Sequence, residues 1–247
     1  MTQVKGLSFF SNQITGSIPT FLSSMRSMQG ISFGYNLLTN TIPSALAMMT
    51  DNRFLIFNSN FLTGSIPTEF SNVKALELVR LSSNYLTGAL PEAIFGADRS
   101  LKEILLYDNY ISGTLPSSMF STSSLTVVQL QNNWFNGKIP IFTPENLSIS
   151  TFDMSNNALS SAIPAELFMI SELKQLIATG NCFTGELPSS LCSLSAIETL
   201  AMTGMYSGIK CHYPRLSIRR AMKGTVPDCL FQMPSLKTIS LSGGNIN

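Results

Sequence analysis

Net charge is almost absent from this 247-residue chain: 15 Lys and Arg stand against 14 Asp and Glu, for a formal charge of +1. That balance creates no field to gather nucleic acid or an anionic membrane surface. Histidine is nearly missing too: His212 stands alone in a loop, and no nucleophile–His–acid set occurs. No phosphate-cradling Gly-rich motif occurs, so an enzyme is the least favoured class, and no cofactor is expected. The four cysteines are widely spaced without a Cys-x-x-Cys pair, which excludes a zinc site, and no metal is expected. No stretch approaches the ~20 apolar residues that cross a bilayer. No basic start with an apolar core and small-residue cleavage site opens the chain.

What the chain does have is a period. Asn12, Asn36, Asn60, Asn84, Asn109, Asn133, Asn157 and Asn181 follow at steps of 24, with one step of 25, and each has a Pro seven residues later. Such a phase marks a solenoid, in which each unit buries its apolar face only against its neighbours. Within a unit, pairs such as Val79/Leu81 and Ile104/Leu106 alternate as a strand does. The Asn falls where the chain turns out of the strand, and its amide can satisfy backbone groups that lack a ladder partner. Stacked at one depth, these Asn residues are expected to form a structural ladder. A Gly then supplies backbone freedom. The Ile/Leu-Pro pair fixes an extended segment, and the short stretch after it suits a single 3₁₀ or α turn on the outer face.

Departures are few. Asn40 and Ser161 replace the Gly, Met205 and Gly244 occupy the Asn slot of the last two units, and Asn52 takes a Leu slot that should weaken the third unit.

The reiterated pattern Leu76-x-x-Val79-x-Leu81-x-x-Asn84-x-Leu86-x-Gly88-x-Leu90-Pro91, closest to type in Asn60–Pro67 and Asn12–Pro19, resembles the plant-type class of the leucine-rich repeat family. The resemblance covers essentially the whole chain. It implies an α/β fold: a right-handed solenoid with a parallel sheet of about ten strands on its concave face and short helical or extended segments on the convex face. It also implies recognition of partners, as in receptor-kinase ectodomains, receptor-like proteins and secreted inhibitors of wall hydrolases. Residues 1–247 are expected to be a single domain, a piece of a longer array. An insertion of 15 residues is expected within 206–223, because Pro188 and Pro227 lie 39 apart.

All four cysteines surround that insertion. Three pairings exist. Cys182–Cys211 and Cys192–Cys229 are favoured: Cys182 follows the eighth turn and Cys211 lies in the loop after the ninth, while Cys192 and Cys229 come at similar depth in adjacent units. Each bond would contribute roughly 3 to 4 kcal/mol. Four buried thiols are the alternative. Disulfides would place the chain outside the reducing cytosol, extracellular or at the cell surface. The insertion gathers Lys210, Arg215, Arg219, Arg220 and Lys223, which suit either an acidic partner or plain solvation.

Residues between the buried strand positions should face the concave side. The richest patch is Phe54, Ile56, Arg80, Leu105, Tyr107, Gln129 and Asp153, a mixture of apolar anchors and polar orienters. Trp134 is expected to pack over the sheet edge. Asn146-Leu147-Ser148 is a glycosylation sequon that fits a secretory route if exposed. The function expected is a recognition module for a peptide, protein or glycan ligand, with a co-receptor as a further partner. A structural, cell-wall- or ice-associated protein using regular Ser, Thr and Asn rows is the alternative.

Overall fold

The computed structural model describes residues 4–203, 211, 222–242 and 245–246. Ten parallel strands form one continuous sheet whose spatial order is the sequence order, from Gly6–Ser8 to Thr238–Ser242. The period dictates this: Leu55 lies opposite Val79, and Val79 opposite Ile104, so equivalent residues stack one rung apart. Central strand residues and those two further on, such as Val79 and Leu81 or Ile104 and Leu106, are buried. The residues between them face the concave side. The inner columns pack closely, with the Phe33 and Phe57 rings 5.8 Å apart. The curved solenoid expected from the repeat is what the chain forms.

Beyond the strands, the Asn ladder turns the chain. The Asn84 Nδ2 donates to the Leu81 and Ser82 carbonyls of its own rung and to the Phe57 carbonyl of the rung before, at 3.1, 3.2 and 3.0 Å. Its Oδ1 accepts from the Leu62 N–H of that earlier rung at 3.0 Å. Asn36, Asn60, Asn109, Asn133, Asn157 and Asn181 repeat this pattern. Among the described residues Asn12, in the first rung, has only its own-rung bonds to the Phe9 and Phe10 carbonyls. The Met205 and Gly244 slots lie outside the described residues.

Past the ladder, short parallel strands pair along the flank in separate sheets. Their register differs from that of the concave sheet. Thr39 lies opposite Phe61 and Thr63 opposite Tyr85, so equivalent residues are offset by two positions per rung. The repeat Gly, within the flank strand or just past it, has positive φ, and Asn40 and Ser161 hold the same left-handed conformation at φ 65° and 72° where Gly is missing.

Every repeat Pro except Pro140 then keeps extended dihedrals and leads into a 3₁₀ turn, as Pro67 does into Thr68–Asn72 and Pro164 into Ala165–Met169. After Pro140 no helix forms; Phe142 instead stacks on Phe120 at 4.4 Å. Asn52 is fully buried in the column of Met28, Leu76 and Leu101, and neither its Nδ2 nor its Oδ1 finds a hydrogen-bond partner.

Candidate functional site

The concave patch is built from two columns. Ile56, Arg80, Leu105, Gln129 and Asp153 stand in register, one per rung. Asn58, Ser82, Tyr107 and Gln131 form the next column. Phe54, at the strand entry, is 36% exposed, with the Arg53 guanidinium 5.3 Å from its ring centre. Leu105 departs from the expectation of an exposed anchor. It is only 9% exposed, because its short apolar side chain lies low between the longer Arg80 and Gln129 on either side; it is a floor to the patch.

Several polar atoms here have no partner among the described residues: Arg80 Nε, Asn58 Oδ1, Ser82 Oγ and Gln131 Oε1. A buried polar group left unpaired is costly, and here four of them share one face. The Asp153 carboxyl is pushed up from its ordinary pKa by burial, against the hydrogen bonds it accepts from the Ser155 N–H and hydroxyl. At the strand entries Glu77 accepts from Arg53 at 2.6 Å and from Lys102 at 2.9 Å, and these bonds hold its pKa down to about 2.

The flank carries a second feature that the sequence reading passed over. The residue after the ladder Asn is large and exposed in five successive rungs: Leu37, Phe61, Tyr85, Tyr110 and Trp134. Phe61, Tyr85 and Tyr110 stack with ring centres 6.1 Å apart at each step. Trp134, expected to pack over the sheet edge, stands at the end of this row. It is 45% exposed in the strand Trp134–Gly137. Tyr85, Tyr110 and Trp134 form one wall of a groove of about 550 Å³, Ser83, Asp108 and Asn132 the other, and the ladder residues Asn60, Asn84 and Asn109 its floor. The sequence held the signal, since these residues share the position directly after the Asn.

Nearby, a column of exposed threonines, Thr15, Thr39, Thr63 and Thr87, runs along the flank. The two-residue stagger sets Leu37, Phe61 and Tyr85 beside Thr15, Thr39 and Thr63, which breaks up any flat hydroxyl lattice.

Cys182 is bonded to Cys211 and Cys192 to Cys229, with Cα atoms 5.6 and 5.8 Å apart. Asn146 is exposed in a turn of the outer segment. Arg215, Arg219 and Arg220, with His212 and most of the insertion, lie outside the described residues. Among the described residues no group of His, Cys, Asp and Glu could hold a metal ion, and no helix is long and apolar enough to cross a membrane.

The fold defines a repeat domain whose exposed surfaces are sheet and flank. A family model, Leucine Rich Repeat, matches residues 172–194. None of the curated proteins matches the chain. Among solved structures, the plant peptide hormone receptor RGFR1 in complex with RGF2 is 26% identical, with a TM-score of 0.84 over 99% of this chain and 40% of that one. The Arabidopsis receptor kinase HAESA, in complex with the peptide hormone IDA and the co-receptor SERK1, is 24% identical, with a TM-score of 0.71 over 99% and 46%. A plant ice-binding protein is 20% identical, with a TM-score of 0.75 over 98% and 74%. Residues 172–194 match the leucine-rich repeat, and the chain as a whole has the fold of the plant receptor ectodomains to which it is similar. It spans less than half the length of the receptor chains it matches.

Proposed function

We propose that the chain is the recognition part of an extracellular or cell-surface protein and binds an extended peptide along its concave face. The observation that carries this reading is the cluster of unpartnered polar atoms, led by Arg80 Nε and Gln131 Oε1, on one face of the sheet. Arg80 would orient a ligand carboxylate or carbonyl. Asp153, three rungs away and therefore about 14 Å off at a rung spacing of ~4.8 Å, would take a ligand cation. Tyr107 would supply apolar contact between them, over a floor that includes Leu105, and Phe54 and Ile56 would supply it one rung beyond Arg80. A rigid sheet spends little ordering entropy on binding. The described disulfides and the exposed Asn146 sequon favour a secretory route, with Asn146 glycosylated. A co-receptor would be a further partner; the HAESA complex's name states a peptide hormone and a co-receptor for that protein. The insertion arginines, Arg215, Arg219 and Arg220, would serve as an accessory contact for an acidic ligand.

Peptides selected on the intact chain from a random display library provide the test. Arg80→Ala and Tyr107→Ala should each weaken a selected peptide at least tenfold, about 1.4 kcal/mol, by calorimetry. Affinity unchanged in both variants, or lost only on altering Arg219 and Arg220, would overturn the concave-face reading.

A further inference from the structure

The flank groove is a separate surface with different chemistry. One wall is a ladder of half-exposed rings, Tyr85, Tyr110 and Trp134, continued by Phe61. The other is a relay of small polar groups. Asn156 Nδ2 donates to Asn132 Oδ1 at 2.8 Å, and Asn132 Nδ2 to Asp108 Oδ1 at 2.6 Å. The Ser83 hydroxyl lies 3.5 Å from Asp108 Oδ2. Both walls repeat once per rung, so a bound chain would meet a ring and an amide, hydroxyl or carboxylate at every step.

We infer that this groove binds a neutral, extended, β-linked polysaccharide. The apolar C–H face of a pyranose packs on an aromatic ring while its rim of hydroxyls needs donors and acceptors beside it, and the two walls offer that pairing. The 6.1 Å ring spacing is comparable with the length of one sugar unit in an extended β-linked chain, so successive units can engage successive rungs. Charge favours a neutral occupant: among the described residues Asp108 is the one ionisable carboxylate or amine lining the groove, and it would repel uronates.

An extended peptide fits less well, because it gains affinity from main-chain pairing with an open strand edge. Here the floor's backbone groups are already engaged. The Leu62 and Leu86 N–H groups donate to Asn84 and Asn109 Oδ1, and the Tyr110 and Trp134 N–H groups donate to the Leu86 and Ile111 carbonyls.

Trp134 is the sole tryptophan of the chain, so its emission reports this groove directly. Cellohexaose titrated into the intact chain should change that emission saturably, while oligogalacturonate should leave it unaltered. Tyr110→Ala should weaken cellohexaose at least tenfold. Tyr110→Phe, which keeps the ring, should retain binding within about threefold, and both variants should unfold with the wild-type urea midpoint. Peptides bound at Arg80 and Tyr107 should be unaffected by either change, so this site and the concave face fail or stand separately. No saturable response to cellohexaose overturns the assignment. So does an equal response to oligogalacturonate, or a response only to a proline-rich peptide.

Discussion

Asn52 is the residue at which the repeat works against itself. It fills a column otherwise made of Met, Leu and Ile, and its amide is buried with no partner. Burying such a group costs about 1–3 kcal/mol by mutational measures. Asn52→Leu should therefore raise stability by about that amount, read as a shift in the urea midpoint without a change in slope. Ser161 is a second local conflict. It holds φ 72° in a position that glycine fills in most other rungs, and a left-handed non-glycine residue costs ~1–2 kcal/mol. Part of that gain is returned through the greater entropy of an unfolded Gly, so Ser161→Gly should stabilise by about 0.5–1 kcal/mol in the same measurement. Both sites were visible in the sequence as breaks in a strict column. The low position of Leu105 was not, because it depends on the length of the side chains standing on either side.

Strands and turns behave as units, and one ion-pair network ties three strand entries together. Arg53, Glu77 and Lys102 sit on consecutive rungs. The hydrogen bond from Arg53, then that from Lys102, holds the Glu77 pKa at about 2, below the ~4.3 of an unfolded glutamate. A depressed carboxylate stabilises fully above its unfolded pKa, and that contribution is lost as pH falls through the folded one. Solvent around Arg53 and Lys102 limits it to about 1 kcal/mol. The stability difference between wild type and Glu77→Gln should be constant at neutral pH, shrink below pH ~4.5 and vanish near pH ~2. Denaturant melts across that range would show it. At this scale the sequence was most informative for elements that repeat, the inner strand, the Asn turn and the 3₁₀ segment, because every copy restates the same pattern. It was least informative for the flank, where the two-residue offset arises from how neighbouring rungs pair. No single repeat encodes that offset.

Seen whole, the molecule offers two long surfaces and no enclosed chemistry among its described residues. The fold was legible because a solenoid reuses one unit, so errors in one rung do not change the architecture. The site was less so. The concave patch could be enumerated from strand alternation, but the unpartnered Arg80 and Gln131 atoms emerge only when side chains of different rungs are placed together. The stagger that sets Phe61 and Tyr85 beside Thr39 and Thr63 bears on the ice-associated alternative. A surface matching a crystal lattice needs uninterrupted hydroxyl rows, so the chain should produce no thermal hysteresis and leave ice recrystallisation unchanged in a standard splat assay.

The amide of each ladder Asn finishes the turn of its predecessor, which gives the coil a direction. Shortening it from the front would leave the new leading Asn with its own-rung bonds, as Asn12 has. Shortening it from the back would strip the preceding turn of both the acceptor and the donor it borrows. Unravelling is therefore easier from one end than from the other, much as overlapping tiles lift only along their free edge. The last of these described amides belongs to Asn181, and the very next residue, Cys182, is fastened covalently to Cys211. A rivet sits at the point where the overlap runs out.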